Sequence, residues 1–251
     1  MEKELRGKLA LITGASKGLG KAMALALAEA GADLILVSRN RELLEETAAA
    51  ARASSSQAEC FAADVSSEEQ VRELEQKVRN RYGQVDILIN NAGINVRKPI
   101  TEFSLAEWKG VLETNLVGAF LMCRSFVPLM KGRGYGRIIN LTSIMSHVAL
   151  AGRTAYAASK AGLLGFTKAL ALELAPEGIT VNGVSPGPIG TEMNTVLMQT
   201  PELNQQFVSR IPLGRWGRVE EVGGLVRYLC SPAAEFITGT DLVIDGGWCA
   251  Q

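Results

Sequence analysis

From Leu9 to Asn90 the chain alternates short apolar runs with longer segments of helical periodicity. Leu9 to Thr13 reads as a strand, Gly18 to Ala30 as a helix, Asp33 to Ser38 as a strand and Arg41 to Ala53 as a helix. The order repeats, with a strand at Ala58 to Ala63, a helix at Glu68 to Tyr82 and a strand buried on both faces at Val85 to Asn90. The second half predicts a helix over Leu105 to Met130, a strand over Arg137 to Thr142, a helix over Tyr156 to Ala175 and a strand over Thr180 to Val184. Pro186-Gly187-Pro188 then stops regular structure, and the chain stays polar to about Pro212 before a helix near Glu220 to Cys230 and a last strand at Asp241 to Asp245. Such alternation implies right-handed βαβ crossovers, hence an α/β fold with a doubly wound, parallel seven-stranded sheet and helices on both faces. Residues 1–251 are expected to form one domain, with 188–215 a mobile lid over a substrate.

The strand ending at Thr13 runs into Gly14-Ala15-Ser16-Lys17-Gly18-Leu19-Gly20, which opens a helix. Glycines at this point let the backbone approach a diphosphate, and the helix N-terminus offers free N–H groups and positive dipole, the arrangement of a Rossmann fold. A glycine-rich turn is also simply a tight turn; its place after the first strand is what points to a dinucleotide. After the second strand an NAD enzyme places an acid for the ribose 2′-hydroxyl, whereas here the residues are Ser38, Arg39 and Asn40. Arg39 and Lys17 suit a 2′-phosphate, so NADP(H) is expected over NAD(H), the alternative being two solvated cations. Asp64-Val65 and Asn90-Asn91-Ala92-Gly93 fall at further strand ends, where such sheets bind ligands; Asp64 can equally be an N-cap.

Lys+Arg 26 equals Asp+Glu 26, which leaves no excess of positive charge for a phosphate backbone or an anionic bilayer. No nucleic-acid or membrane partner is expected. The charged start lacks an apolar core behind it, and no apolar run reaches the roughly 20 residues of a membrane span, so a cytoplasmic protein is expected. Cys60, Cys123, Cys230 and Cys249 are widely spaced, with no CxxC pair, and His147 is the single histidine. They read as reduced thiols and a loop histidine, and no metal site is expected.

Tyr156 and Lys160 stand four apart at the start of a predicted helix, so their side chains share a face. A phenol titrates near about 10 in water, and an ammonium beside it stabilises the phenolate, which makes the tyrosine a usable general acid or base. Ser143, just past the strand ending at Thr142, can offer a hydroxyl to the same carbonyl oxygen. Singly, the pair can be an ordinary amphipathic face and Ser143 a cap.

Together, TGASKGLG at 13–20, NNAG at 90–93, TNL at 114–116, Ser143, YAASK at 156–160, PGPIGT at 186–191 and DGG at 245–247 resemble the short-chain dehydrogenase/reductase family over essentially the whole chain. The resemblance implies Tyr156 as proton donor and acceptor, Ser143 as carbonyl polariser, Lys160 as ribose ligand and phenolate stabiliser, and Asn115 as anchor of a water chain. It further implies that Thr191 and the backbone around Ile189 hold the nicotinamide carboxamide. The cofactor set is then Gly14, Ser16, Lys17, Gly18, Leu19, Gly20, Ser38, Arg39, Asp64, Val65, Asn91, Ala92, Gly93, Tyr156, Lys160, Pro186, Gly187, Ile189 and Thr191. A homotetramer is implied as well, with the helices at 105–130 and around Tyr156 as intersubunit faces.

The expected reaction interconverts a ketone and a secondary alcohol. Arg97-Lys98-Pro99 beyond NNAG, and Arg153 three residues before Tyr156, are cations that can hold a carboxylate, so a small polar keto or sugar acid is the expected substrate. These segments, with SIMS at 143–146, GRWG at 214–217 and GGW at 246–248, look like those of gluconate 5-dehydrogenases. GLLGFTKALALELAPEGITVN at 162–182 resembles 3-oxoacyl-acyl-carrier-protein reductases, for which Arg97, Arg133 and Arg137 would face an acidic carrier. A non-catalytic NADP-binding regulator is a third reading, against which the complete tetrad argues.

Overall fold

The computed structural model describes residues 3–54 and 56–251. Seven parallel strands, β1 (Leu9–Thr13), β2 (Asp33–Ser38), β3 (Ala58–Ala62), β4 (Ile87–Asn90), β5 (Gly136–Leu141), β6 (Ile179–Pro186) and β7 (Asp241–Ile244), form one sheet in the order β3-β2-β1-β4-β5-β6-β7. Nine α-helices are described: α1 (Gly18–Glu29), α2 (Arg41–Arg52), α3 (Glu68–Tyr82), α4 (Leu105–Leu112), α5 (Gly118–Phe126), α6 (Thr154–Leu174), α7 (Thr195–Gln199), α8 (Pro201–Val208) and α9 (Val219–Cys230). The strands β1, β4, β5 and β6 are buried along their whole length, as a parallel sheet covered on both faces requires. One face packs through Ile12, Leu36 and Ile139 against Met23, Leu44 and Val226, and the other through Leu11, Val37 and Leu88 against Val71, Leu74 and Phe126.

Local chemistry starts and stops the helices. Asn40 caps α2 through Leu43 N, and Ser104 forms a reciprocal capping box with Glu107 at α4. The cap of α3 is Ser67 and not Asp64, whose carboxylate instead accepts from Ser66 N and Oγ. The helix expected from Leu105 to Met130 is interrupted: Glu113–Val117 is a π-helical turn between α4 and α5, and Asn115 sits within it. The run Leu105–Leu129 has the length and apolarity to cross a membrane by composition, with mean hydropathy 1.2, yet one side of it is committed to α3, α6 and β4. Regular structure also continues past Pro188, because α7 and α8 occupy the middle of the segment expected to be irregular. Polar composition there marks exposed helices rather than missing ones.

The sheet order reverses between β1 and β4, the seam where ligands enter such sheets. At that seam the turn after β1 doubles back tightly: a Cβ on Gly20 would lie 2.1 Å from Gly14 O and 2.6 Å from Asn91 Nδ2. Gly14 belongs to the turn itself, and Asn91, from the loop after β4, is hydrogen-bonded to it, so neither neighbour retreats freely. Gly20→Ala should therefore destabilise the fold by on the order of 1–3 kcal/mol; an unchanged urea midpoint would show that the turn opens at no cost.

Candidate active site

A cavity of about 740 Å³ opens at the carboxyl ends of the strands. Its lining includes every cofactor-site and substrate-site residue expected from the sequence, together with Ser143, Tyr156 and Lys160. Asn115 stands behind the wall, buried at 2% exposure, where the π turn of the backbone directs its side chain to the loop after β4. Its Oδ1 accepts from Ile94 N at 2.8 Å, and its Nδ2 donates to Ile94 O and to Ser159 Oγ, both at 3.0 Å. Asn115 thereby ties the loop after β4 to α6, the helix of Tyr156 and Lys160.

At the dinucleotide end, the N-terminus of α1 faces the cavity, with Lys17 making no side-chain cap and no acid in the first turn. Uncapped N–H groups at a helix start are a seat for an anion. Asn91 Nδ2 donates to Thr13 O at 2.9 Å and Gly14 O at 3.1 Å, holding this turn against β4, whereas Asn90 points into the core toward Asn140 and Cys123. Arg39 is 74% exposed and 3.9 Å from Asp64 Oδ2, an acid that the end of the second strand itself lacks. Burial raises the Asp64 pKa, but its bonds from Ser66 and the nearby Arg39 outweigh this and hold it below the ordinary carboxylate value.

At the other end, the Ser143 hydroxyl lies near enough to Tyr156 to act on its phenol, and Lys160 Nζ donates to Leu141 O. Burial raises the phenol's pKa; Ser143, Arg153 and Arg97 oppose it. Lys160 Nζ lies 5.6 Å from the centre of the Tyr156 ring and is engaged by the Leu141 carbonyl, while Arg153 and Arg97 both act to lower the phenol's pKa. Burial also lowers Lys160 to about 8. Both groups are thus pushed toward their neutral forms by the same dry wall.

Arg153 is the N-cap residue of α6, and burial followed by repulsion from the nearby Arg97 lowers its pKa. Arg97, which has no visible partner in the sequence, donates to Asn194 Oδ1 at 3.0 Å, and Asn194 Nδ2 donates to Ile189 O at 2.9 Å. Sequence reasoning missed Asn194, because its meeting with Arg97 joins positions far apart in the chain. It also missed the aromatic wall. Phe207 of α8 stacks on Trp216 at 5.6 Å and lies 5.7 Å from Trp248, and Trp216 Nε1 donates to Asn204. Trp216 and Trp248 were visible only as parts of short motifs, and nothing in their spacing says that one phenylalanine joins them. Asn95 lines the same cavity, with a buried Oδ1 that has no hydrogen-bond partner among the described residues.

Comparison with known proteins agrees with this geometry. A family model described as enoyl-(acyl carrier protein) reductase matches residues 14–249. The chain is 39% identical over 248 residues to a 3-oxoacyl-[acyl-carrier-protein] reductase of Aquifex aeolicus, covering 98% of this chain and 99% of that protein. It is 37% identical over 243 residues to a gluconate 5-dehydrogenase of Gluconobacter oxydans, covering 97% and 95% respectively. Its fold superposes with a TM-score of 0.94 on the crystal structure of a gluconate 5-dehydrogenase from Burkholderia cenocepacia in complex with NADP and tartrate, at 36% identity and with 100% and 98% of the two chains covered. Sheet order, glycine turn, the Ser143–Tyr156–Lys160 grouping and these likenesses over the full length together make this chain a member of the short-chain dehydrogenase/reductase family.

Proposed function

We propose that this protein is an NADP(H)-dependent oxidoreductase that interconverts a ketone and a secondary alcohol on a small polar keto acid or sugar acid. The observation that carries the reading is the cluster at Tyr156: an acid/base phenol, the Ser143 hydroxyl and two guanidinium groups meet in one cavity with the dinucleotide seat. NADP(H) fits that seat through the uncapped start of α1, the crowded glycine turn and the cations Lys17 and Arg39, with Pro186, Gly187, Ile189 and Thr191 at its nicotinamide end. Bound there, the cofactor supplies or accepts the hydride. Ser143 holds the carbonyl oxygen, and Tyr156 gives that oxygen its proton in the reducing direction and takes it back in the other. Lys160 and Asn115 hold the loop and helix around it.

Two guanidinium groups beside the cavity-lining phenol suit a substrate carboxylate, which adds an acceptor to the partners they already have. Asn95 Oδ1 adds an acceptor suited to a hydroxyl. The relative crystallised with NADP and tartrate, a small hydroxy dicarboxylate, supports both choices. The likeness to 3-oxoacyl-[acyl-carrier-protein] reductases favours a second reading, an acyl thioester on an acidic carrier. Of the cations expected to face such a carrier, Arg137 is buried at 3% exposure and Arg133 is bound to Asp86 at the amino end of β4, away from the cleft. Only Arg97 of the three stays at the cavity.

The chain works as a single catalytic domain in this reading, with 188–215 as a lid closed by Phe207 against Trp216 and Trp248. A homotetramer and a cytoplasmic location complete it. Leu105, Val117, Phe120 and Leu172 lie exposed on the helices proposed to meet between subunits, and Cys60, Cys123 and Cys230 are buried free thiols, as a reducing compartment would leave them.

Tyr156→Phe should keep NADPH binding and lose kcat on the order of 10²–10⁴-fold, the share of a general acid; near-parental turnover would remove Tyr156 from this role. Arg39→Ala should weaken NADPH roughly ten-fold or more while NADH changes little, as loss of one charge-assisted contact implies. The exposed Arg39–Asp64 pair offers little resistance to that exchange of partners. A parent enzyme that prefers NADH in parallel titrations would overturn the assignment. Arg97→Ala and Arg153→Ala should each raise KM for a keto acid with kcat little changed and leave neutral ketones indifferent, since the contact is made in ground and transition state alike. Unchanged KM in both variants would favour the acyl-thioester reading.

A further inference from the structure

His147 and Asp241 take no part in the reading above, yet they meet directly behind Ser143. His147 Nε2 lies 2.6 Å from Oδ2 of Asp241, whose side chain is 4% exposed at the start of β7. The same carboxylate accepts from Thr142 Oγ1 at 2.6 Å and from Ser185 Oγ at 2.7 Å. Space for it exists only because position 183 is glycine: a Cβ there would stand 2.3 Å from Asp241 Oδ1. Among the described residues neither His147 nor Asp241 has another ion-pair partner.

Placement along the chain gives this cluster its meaning. Thr142 immediately precedes Ser143, and His147 closes the single 3₁₀ turn, Ile144–Ser146, that Ser143 opens and caps through Met145 N. Both flanks of the turn that carries Ser143 are therefore fastened to one carboxylate from a different strand. Three donors converge on Asp241, and only a group with acceptors and no donors can satisfy them all; a carboxamide has one acceptor oxygen and would turn N–H groups toward N–H or O–H.

We propose that Asp241, clamped by His147 and Thr142, is the positioning residue that holds the Ser143 hydroxyl at Tyr156. This rests on the role given to Ser143 above. The carboxylate is not part of the cavity lining. It sets the distance between the end of β5 and the turn beyond it, and so the place of Ser143 Oγ.

The test uses the full-length enzyme, NADPH and the keto acid that the parent reduces fastest. Asp241→Asn should lower kcat on the order of 10- to 100-fold, the cost of misplacing a group by about an ångström, with the NADPH dissociation constant within about two-fold of the parent. His147→Ala should fall in the same direction, and His147→Gln, which restores an N–H near the position of Nε2, should recover most of the loss. In a Ser143→Ala background Asp241→Asn should add less than about two-fold, because its effect passes through the missing hydroxyl. Parental kcat in Ser143→Ala would overturn the role of Ser143 itself. With Ser143→Ala impaired, parental kcat in Asp241→Asn, or a full further loss on the Ser143→Ala background, would overturn the positioning role. Should Asp241→Asn fail to fold, the His147→Ala and His147→Gln pair decides the matter, and equal loss in both overturns it.

Discussion

Asn91 bridges the seam at which the sheet reverses. From the loop after β4, its side-chain amide reaches across to the carbonyls of Thr13 and Gly14, while Thr13 Oγ1 accepts from Asn91 N and Ala92 N and donates to Ile89 O. These bonds set how closely the glycine turn approaches the neighbouring strand end, and Gly20 is forced to be glycine because that approach leaves no room for a Cβ. The glycine turn after β1 and the loop after β4 meet at this seam, where the cavity opens. Their separation is thus a property of one short hydrogen-bonded junction.

Burial is the second organising force. A dry wall raises the pKa of Tyr156 and lowers that of Lys160, so each leans toward its neutral form. Arg153 and Arg97, from the wall of the same cavity, oppose that tendency at the phenol. In the proposed reading the cations that hold an acidic substrate also act on the proposed acid/base group, which links recognition to chemistry through a single field. Lys160, held by the Leu141 carbonyl, orders the strand end.

Polar side chains in the interior act as long-range ties. Asn115 leaves its helix at a π turn and joins the loop after β4 to α6, and Asp241 joins β7 to the turn after β5. Each satisfies several donors or acceptors at once, which is the condition under which a buried polar group stabilises one arrangement and not many.

Much was legible from sequence because the relevant forces are local. Strand and helix order followed from periodicity, the starts of β1, β2, β3 and α3 matched to the residue, and a glycine turn at the end of the first strand could serve few purposes. The four-residue spacing of Tyr156 and Lys160 placed them together because an α-helix has 3.6 residues per turn. What sequence left open depended on distance in the chain. The π turn at Asn115 has no periodic signature, and the partners of its side chain lie far away in the chain, on the loop after β4 and on α6. Phe207 with Trp216 and Trp248, Arg97 with Asn194, and His147 with Asp241 meet only when strands and loops converge at the carboxyl edge of the sheet. The same convergence brings burial and two arginines to bear on the phenol, because desolvation and Coulomb energy depend on positions in space that chain spacing does not contain.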